Sequence, residues 1–225
     1  MSAATGARSG AGGLLADRAY VALRDRIVTL AIPPGAPINE EALARELEIG
    51  RTPVREAIKR LALENLVAVY PRRGTFATEI NITDLAHVSD VRVQLEGHAA
   101  YRAAQRLTPA LRGELDELVA VVGRRDDGAD AESLMRLDAD VHRFVYRCAG
   151  NPYLRETLER YLNLSLRIWY LVLARLPHLF ERVLEHRDLL LAIRDGDAQG
   201  AREIAAEHVA TFEVEIRSVL WPTTT

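Results

Sequence analysis

The helical spacing of apolar residues after Thr83 constrains the fold more than any other feature of this sequence. Apolar residues recur with helical spacing from there to residue 220, and no strand-like alternation interrupts them. Capping residues, with Gly196 as one stop signal, divide the pattern into predicted helices over 84–107, 109–124, 131–149, 152–175, 177–195 and 197–220. No apolar run reaches the about 18 residues of a transmembrane helix, so no membrane span is predicted. This part is predicted to be an all-α bundle of six or seven helices.

The residues before Thr83 follow a different plan, in which three helices precede a β-hairpin. The predicted helices cover 17–30, 40–47 and 52–65, and the predicted strands cover 66–70 and 75–78. The apolar side of the third helix is assigned to Val54, Ile58, Leu61 and Leu63. Two helices joined by a tight turn and followed by a hairpin indicate a winged helix-turn-helix, in which the third helix enters the major groove of DNA. The fold class is therefore mainly α.

These patterns set the predicted domain boundaries. Residues 1–16 are mostly small and flexible, with one charge and no long apolar run, which predicts a disordered arm rather than a signal peptide. The winged helix-turn-helix covers 17–78, a linker covers 79–83, and the helical domain covers 84–220. The single cysteine, Cys148, is expected to be buried and fits a reducing, cytoplasmic location.

Charge alone does not establish nucleic-acid binding. The net charge of the chain is −3. Residues 17–80 carry ten Lys or Arg and nine Asp or Glu, whereas residues 81–225 carry 18 and 23. The N-terminal part is thus only marginally basic, and a case for DNA binding has to come from the placement of particular residues.

The predicted DNA contacts are at the start of the third helix and in the hairpin turn. Arg51 and Arg55 lie one helical turn apart, so they share a face, and Arg55 can pair bidentately with guanine. Thr52 offers a hydroxyl and a helix-terminal N–H to phosphate. In the turn, Arg72 and Arg73 can contact backbone or minor groove, and Gly74 allows a tight bend. The alternative for two arginines on an exposed helix is an ordinary solvated face.

The run RTPVREAI, together with the preceding NEEALA helix and the following Arg-Arg-Gly turn, closely resembles the GntR family of winged-helix regulators. The resemblance covers residues 17–78 and implies DNA binding. Three positions depart from the family pattern. Glu48 stands where the family commonly has glycine, Gly50 where it commonly has serine, and Glu41 where a basic residue is common. These changes preserve the predicted fold and alter the expected phosphate contacts.

Four residues of the helical part are candidate ligands for a metal ion. Asp138 and His142 lie at i and i+4 on one helix, and His186 and His208 lie on the last two helices. One carboxylate and three imidazoles in a helical bundle form a suitable ligand set for a divalent transition metal. Taken singly, each histidine is more often a surface or satisfied core residue, so spacing alone leaves both interpretations open.

The runs LDADVH, EHRDLL and EHV resemble the FCD ligand-binding domain of the FadR-type GntR subfamily, over residues 84–220. That resemblance implies that Asp138, His142, His186 and His208 bind a metal that helps to hold a carboxylate effector. Zinc is the first expectation, with nickel, manganese or iron as alternatives. Arg92 resembles a family arginine that faces the effector, and the alternative is a surface ion pair with Glu96. The departure at Val141, where the family usually has phenylalanine, concerns packing.

The resemblance implies a ligand-responsive regulator, commonly a repressor, that binds an inverted repeat of double-stranded DNA as a homodimer and responds to a small organic acid. A metal-dependent helical-bundle enzyme is the second hypothesis, although the sequence offers no general base, nucleophile or phosphate loop. A helical module whose winged helix binds protein is the third. We expect no enzymatic activity and no membrane association.

Overall fold

The computed structural model describes residues 5–124, 130–176 and 178–221, and of residues 5–12 it describes the backbone alone. The chain divides into two compact units, with the boundary between Asn81 and Ile82, inside the segment predicted as a linker. The first unit combines helices with one hairpin, and the second is helical throughout its described residues. The mainly α prediction is confirmed. Over the same described ranges, no helix is both long and apolar enough to cross a lipid bilayer.

The first unit consists of α1 (Thr5–Val28), α2 (Glu40–Glu46), α3 (Arg51–Leu63), β1 (Val67–Tyr70) and β2 (Gly74–Ala77). Helix α1 packs against α3, and Leu23 and Ile27 of α1 are fully buried with Val54 and Leu61 of α3. The apolar spacing predicted these contacts, because residues three or four apart share one helix face. The Asn39 side chain accepts the Ala42 N–H at 2.9 Å and caps α2.

Helix α1 begins twelve residues before the position that the sequence predicted. The expected start was Asp17, after a disordered arm over 1–16, but the helix already includes Thr5. Residues 1–4 of that arm lie outside the described residues. Nothing between Thr5 and Asp17 is a proline, so a helix anchored by buried residues from Ala16 onward extends at one backbone hydrogen bond per residue. The disordered arm over residues 1–16 stays a prediction.

The hairpin has one more partner than predicted. Strands β1 and β2 are antiparallel, with Val67 opposite Ala77 and Tyr70 opposite Gly74. The segment before α2, expected only to break a helix, also bonds to β2: Ile38 N–H donates to the Thr75 carbonyl at 2.8 Å. Pairing satisfies backbone groups that would otherwise need water. The proline-rich segment thereby fixes where α2 begins.

Leu63 lies on the exposed side of α3, contrary to the prediction from the sequence. It was assigned to the apolar side of α3, but it is 78% exposed, whereas Leu61 is fully buried. Two residues correspond to about 200° of rotation at 3.6 residues per turn, so the two leucines lie on opposite sides of the helix.

The second unit contains six α-helices and one short 3-10 turn among its described residues. These are α4 (Asp84–Arg106), α5 (Pro109–Val122), α6 (Ala131–Cys148), α7 (Pro152–Val172), the 3-10 turn (Leu173–Arg175), α8 (Leu179–Asp195) and α9 (Ala198–Leu220). Every predicted helix is present. Gly196 ends α8 in the left-handed conformation, with φ of 78°, as its role as a stop signal predicted.

Helix α6 occupies the middle of the bundle and contacts α4, α5, α7 and α8. Its buried side includes Met135, Val141, Phe144 and Cys148. Burial raises the pKa of the Cys148 thiol to about 12, which agrees with the inert, packed role expected for it. Side chains on α6 are therefore surrounded by protein on most sides.

Helices α4 and α9 pack backbone against backbone. A Cβ atom at Gly97 would lie 3.1 Å from the Arg202 carbonyl oxygen and 3.5 Å from the Ala206 Cβ. Ala100 and Ala201 are fully buried on the two helices. Small side chains permit this close approach, which a larger residue at position 97 would prevent.

The turn between α2 and α3 contains a strained glutamate. Glu48 has φ of 54°, and the bonds Glu48 N–H to Arg45 O and Ile49 N–H to Ala44 O form the Schellman pattern. The left-handed position of this pattern normally holds glycine, because a Cβ there costs about 1–2 kcal/mol.

We predict that Glu48→Gly stabilises the protein. The gain from relieving the left-handed conformation is partly offset by the about 0.5–1 kcal/mol that glycine loses on folding, so the net increase is up to about 1 kcal/mol. Urea unfolding of the whole chain measures it as a shift of the midpoint. The control Glu48→Ala removes the same charge but keeps a Cβ. A midpoint that rises equally in both variants would mean that charge, and not backbone strain, is responsible.

Candidate functional site

The bundle brings the four predicted metal ligands together. Asp138 and His142 come from α6, His186 from α8 and His208 from α9, and each has a ligand atom within 4.8 Å of the others. All four are buried, with at most 5% of any residue exposed. We call these four residues the Asp/His cluster. Ligand sets placed on different helices of a bundle are a common way to build a metal site.

The spacing within the Asp/His cluster suits a small cation. The Nε2 atoms of His142 and His186 lie 3.4 Å apart. The carboxylate oxygens of Asp138 lie 3.6 Å from His186 Nε2 and 3.8 Å from His142 Nε2 and His208 Nε2. Atoms placed tetrahedrally at 2.0–2.1 Å from zinc are about 3.4 Å apart. The observed distances are close to this value or slightly wider.

Each imidazole is held from behind by an acceptor. His142 Nδ1 lies 2.8 Å from Glu96 Oε2, His208 Nδ1 lies 3.0 Å from Glu185 Oε2, and His186 Nδ1 lies 3.2 Å from the Val183 carbonyl. In the neutral imidazole these acceptors favour a proton on Nδ1, which leaves the Nε2 lone pair directed at the centre of the cluster. Such outer hydrogen bonds orient histidine ligands in metal proteins.

Two atoms of the Asp/His cluster have no partner among the described residues. Asp138 Oδ2 and His208 Nε2 are buried and make no hydrogen bond there. Most buried polar atoms in folded proteins are satisfied, so an exception needs an explanation. A cation bound by both atoms would supply the missing partner, and the donor set therefore fits a divalent transition metal.

The protonation states of Asp138 and His186 suit metal binding, whereas His208 would have to lose a proton to bind a metal. Burial lowers the pKa of His186 to about 3 and keeps it neutral. Burial alone would raise the pKa of Asp138, but the charge of His142 and of the other two imidazoles lowers it well below its ordinary value. Burial alone would lower the pKa of His208, but Asp138 and Glu185 raise it to about 9. Ionised aspartate and neutral imidazole are the ligating forms.

Arg92 lies inside the bundle rather than on its surface. Its side chain is 1% exposed, and Nε and Nη2 donate to Glu96 Oε1 at 3.0 and 2.5 Å. The guanidinium also lies over the Trp169 ring, 5.0 Å from its centroid. The pair with Glu96 that was considered at the surface is thus real but buried. A guanidinium has five N–H donors, and Glu96 does not exhaust them.

Glu96 is one of two residues next to the Asp/His cluster that the sequence interpretation missed. Its carboxylate accepts from Arg92, from the Tyr146 hydroxyl at 2.6 Å and from His142. Burial alone would raise its pKa, but the charges of His142 and Arg92 hold it well below the usual range. The i,i+4 spacing from Arg92 gave the only signal, and it could not show that His142 shares the same carboxylate.

Glu185 was missed for a similar reason. It immediately precedes His186 in the sequence but holds His208 of the next helix. A cavity of about 320 Å³ between α8 and α9 is lined in part by Glu185, His208 and Arg182. This cavity therefore reaches the Asp/His cluster at its His208 side.

The predicted DNA contacts of α3 form an exposed face, but both arginines already have acidic partners. Arg51 forms an ion pair with Glu41, and Arg55 Nε lies 3.1 Å from Glu40 Oε2. The two arginine side chains are 60% and 63% exposed. Thr52 is exposed between them. Ion pairs this exposed are weak and can be exchanged for another anion.

The wing turn presents its two arginines to solvent. Arg73 N–H donates to the Tyr70 carbonyl at 3.1 Å, and Arg72 has φ of 63° at the turn position that favours glycine. Arg72, Arg73 and Gly74 are all exposed, and Gly74 has φ of 108°. A strained non-glycine residue at an exposed tip points to a role for its side chain.

The hydrogen bond from His208 to Glu185 predicts a variant with weakened metal binding. Glu185→Ala removes the acceptor that orients His208, and loss of such an outer contact typically costs about 10–100-fold in metal affinity. Competition with a chromophoric chelator measures the Kd for Zn²⁺ at fixed pH. Glu207→Ala, which removes the same charge beside His208, is the matched control and should change the Kd far less. Equal values for the wild type and Glu185→Ala would contradict the assigned role.

Two family models match the chain, one in each unit. Residues 15–77 match the bacterial regulatory proteins of the gntR family, and residues 87–211 match the FCD domain. The FCD match alone covers more than half of the chain, and both matches fall where the sequence motifs predicted them.

Proteins similar to this chain are named as regulators of transcription. A helix-turn-helix-type transcriptional regulator from an unstable DNA locus of Streptomyces ambofaciens is 31% identical over 201 residues, which are 86% of this chain and 82% of that protein. The helix-turn-helix-type transcriptional repressor RspR of Escherichia coli is 24% identical over 202 residues, 89% of this chain and 88% of RspR. The structure of E. coli McbR/YncC superposes on this chain with a TM-score of 0.78 at 24% identity, and the match covers 92% of this chain and 99% of McbR. This likeness supports the fold alone.

These matches exclude the enzyme hypothesis, because the family and the named relatives are regulators of transcription. The chain is a transcription regulator that belongs to the GntR family and carries an FCD domain.

Proposed function

We propose that this protein is a repressor that binds an inverted-repeat operator as a homodimer and responds to a small organic acid bound beside a metal ion in its helical unit. The observation that carries this proposal is the convergence of three imidazole Nε2 atoms and the Asp138 carboxylate, with each opposite Nδ1 atom held by an acceptor. Such an arrangement is costly to bury without a ligand.

The metal site consists of Asp138, His142, His186 and His208. A divalent transition metal held there would supply a Lewis-acidic position for a carboxylate oxygen. The mixed nitrogen and oxygen donors favour zinc, with nickel, manganese or iron as alternatives. Glu96 and Glu185 keep the imidazoles of His142 and His208 oriented, and burial keeps water from competing for them.

Arg92 is the proposed second contact for the effector. It is buried, positively charged and linked through Glu96 to His142, so it lies in the same network as the Asp/His cluster. Arginine binds carboxylates bidentately, which gives both affinity and orientation. An acid that engages Arg92 would have to share it with Glu96, and this favours small, strongly acidic ligands.

The DNA contacts are proposed for Arg51, Thr52 and Arg55 of α3 and for the wing turn at Arg72, Arg73 and Gly74. Two copies related by a twofold axis would present two α3 helices to half-sites about 34–36 Å apart. The effector would change operator affinity by binding one dimer arrangement more tightly than another. The name of RspR supports repression as the direction of control. A winged helix that binds protein instead of DNA is not favoured by any contact among the described residues of the first unit.

Selection of genomic DNA fragments by the purified protein tests DNA recognition. We expect the wild type to enrich an inverted repeat, and Arg51→Ala/Arg55→Ala to lose it, because a bidentate base contact contributes about 1–3 kcal/mol. Arg24→Ala/Arg26→Ala removes two charges from α1 and serves as the control, at fixed salt. Enrichment by the double α3 variant equal to that of the wild type would reject α3 as the reading helix.

Titration with lactate, succinate and citrate tests the metal-assisted effector site. We expect at least one acid to change operator binding by the wild type loaded with Zn²⁺, and not by Asp138→Ala/His142→Ala, which keeps operator affinity but retains no metal. Chelator-treated wild type gives a second test if that variant does not fold. An acid response that survives both treatments removes the metal from the mechanism.

A further inference from the structure

The first turn of α2 carries two adjacent carboxylates that pair with the two arginines of α3. Glu40 lies beside Arg55, and Glu41 lies beside Arg51. Both arginines proposed to contact DNA at the start of α3 are therefore already paired with a carboxylate of the protein itself. The second and third helices therefore present to DNA a surface of ion pairs rather than of free positive charge.

The two carboxylates differ in how firmly they are held. Glu40 is 28% exposed and also accepts the Thr75 hydroxyl of β2 at 3.2 Å, so three elements meet at its side chain. Glu41 is 62% exposed and meets Arg51 at the surface, where both side chains remain in water. Glu40 is therefore placed to position Arg55, whereas the contact between Glu41 and Arg51 adds little to stability.

An exposed carboxylate on Arg51 acts on DNA binding in two ways. A phosphate that approaches Arg51 has to displace Glu41 and is repelled by it. A cation already paired within the protein also releases fewer counterions from DNA when it binds, and counterion release is the main source of affinity for DNA of any sequence. Both effects weaken the electrostatic part of binding without touching a base.

We propose that Glu41 is an affinity-setting residue that competes with DNA phosphate for Arg51 and so keeps nonspecific DNA binding weak. Glu40 has the opposite role, since it aims Arg55 at the bases. This inference rests on the proposed function, because it requires that α3 binds DNA.

Binding of the full-length variants to two duplexes over a range of salt concentrations tests the proposal. One duplex contains the repeat recovered by genomic selection, and the other is a duplex of equal length without it. Glu41→Gln should tighten binding to both by about 3–10-fold and steepen the slope of log K against log salt by up to about 0.9, the value of one additional phosphate contact. Glu40→Gln should weaken binding to the repeat and not to the other duplex.

Two further variants show whether the effect passes through Arg51. Glu46→Gln removes one charge and one ion pair, with Arg26, from the far end of α2, and should leave both affinities close to the wild type. In an Arg51→Gln background, Glu41→Gln should lose most of its effect, as a double-mutant cycle would show. If Glu41→Gln matches Glu46→Gln, or keeps its full effect without Arg51, the proposal is overturned. A wild type that binds neither duplex would instead reject the proposed function.

Discussion

Arg92 is buried inside the bundle, and its charge requires a carboxylate there. Glu96 supplies that carboxylate, and the organisation of the helical unit depends on this pair. Removing an ion pair from water is expensive unless its remaining hydrogen bonds are satisfied. Glu96 satisfies this condition, because its carboxylate accepts hydrogen bonds from Arg92, Tyr146 and His142. One carboxylate thus joins α4 to α6, neutralises the buried charge and fixes the orientation of His142, a proposed metal ligand.

The same kind of pairing has another consequence in the first unit. Between α2 and α3 the ion pairs are solvated, so water and salt screen them and each is easily exchanged for another anion. In the bundle the dielectric is low, so a pair is strong, directional and hard to open. Surface pairs therefore suit a protein that has to bind and release a polyanion, and buried pairs suit a site whose geometry has to stay fixed.

The sequence predicted local structure well and long-range contacts only in part. Apolar spacing and capping residues located all the helices, because both signals depend on neighbours within one turn. The i,i+4 spacing of Asp138 and His142 placed these two residues on one helix face, and the family resemblance strengthened the grouping of both with His186 and His208. Residue spacing could not show that Glu185 holds His208 or that Glu41 pairs with Arg51, because those contacts join separate helices.

The close approach at Gly97 divides the Asp/His cluster into fixed and adjustable parts. Because the backbones of α4 and α9 touch there, Glu96 and His208 belong to one rigid frame. Asp138, His142 and His186 lie on α6 and α8, which are joined to that frame by the hydrogen bonds of His142 with Glu96 and of His208 with Glu185. The distance across the cluster would therefore follow any displacement of α6 and α8 against the α4–α9 frame, so a larger ligand would be expected to move these two helices.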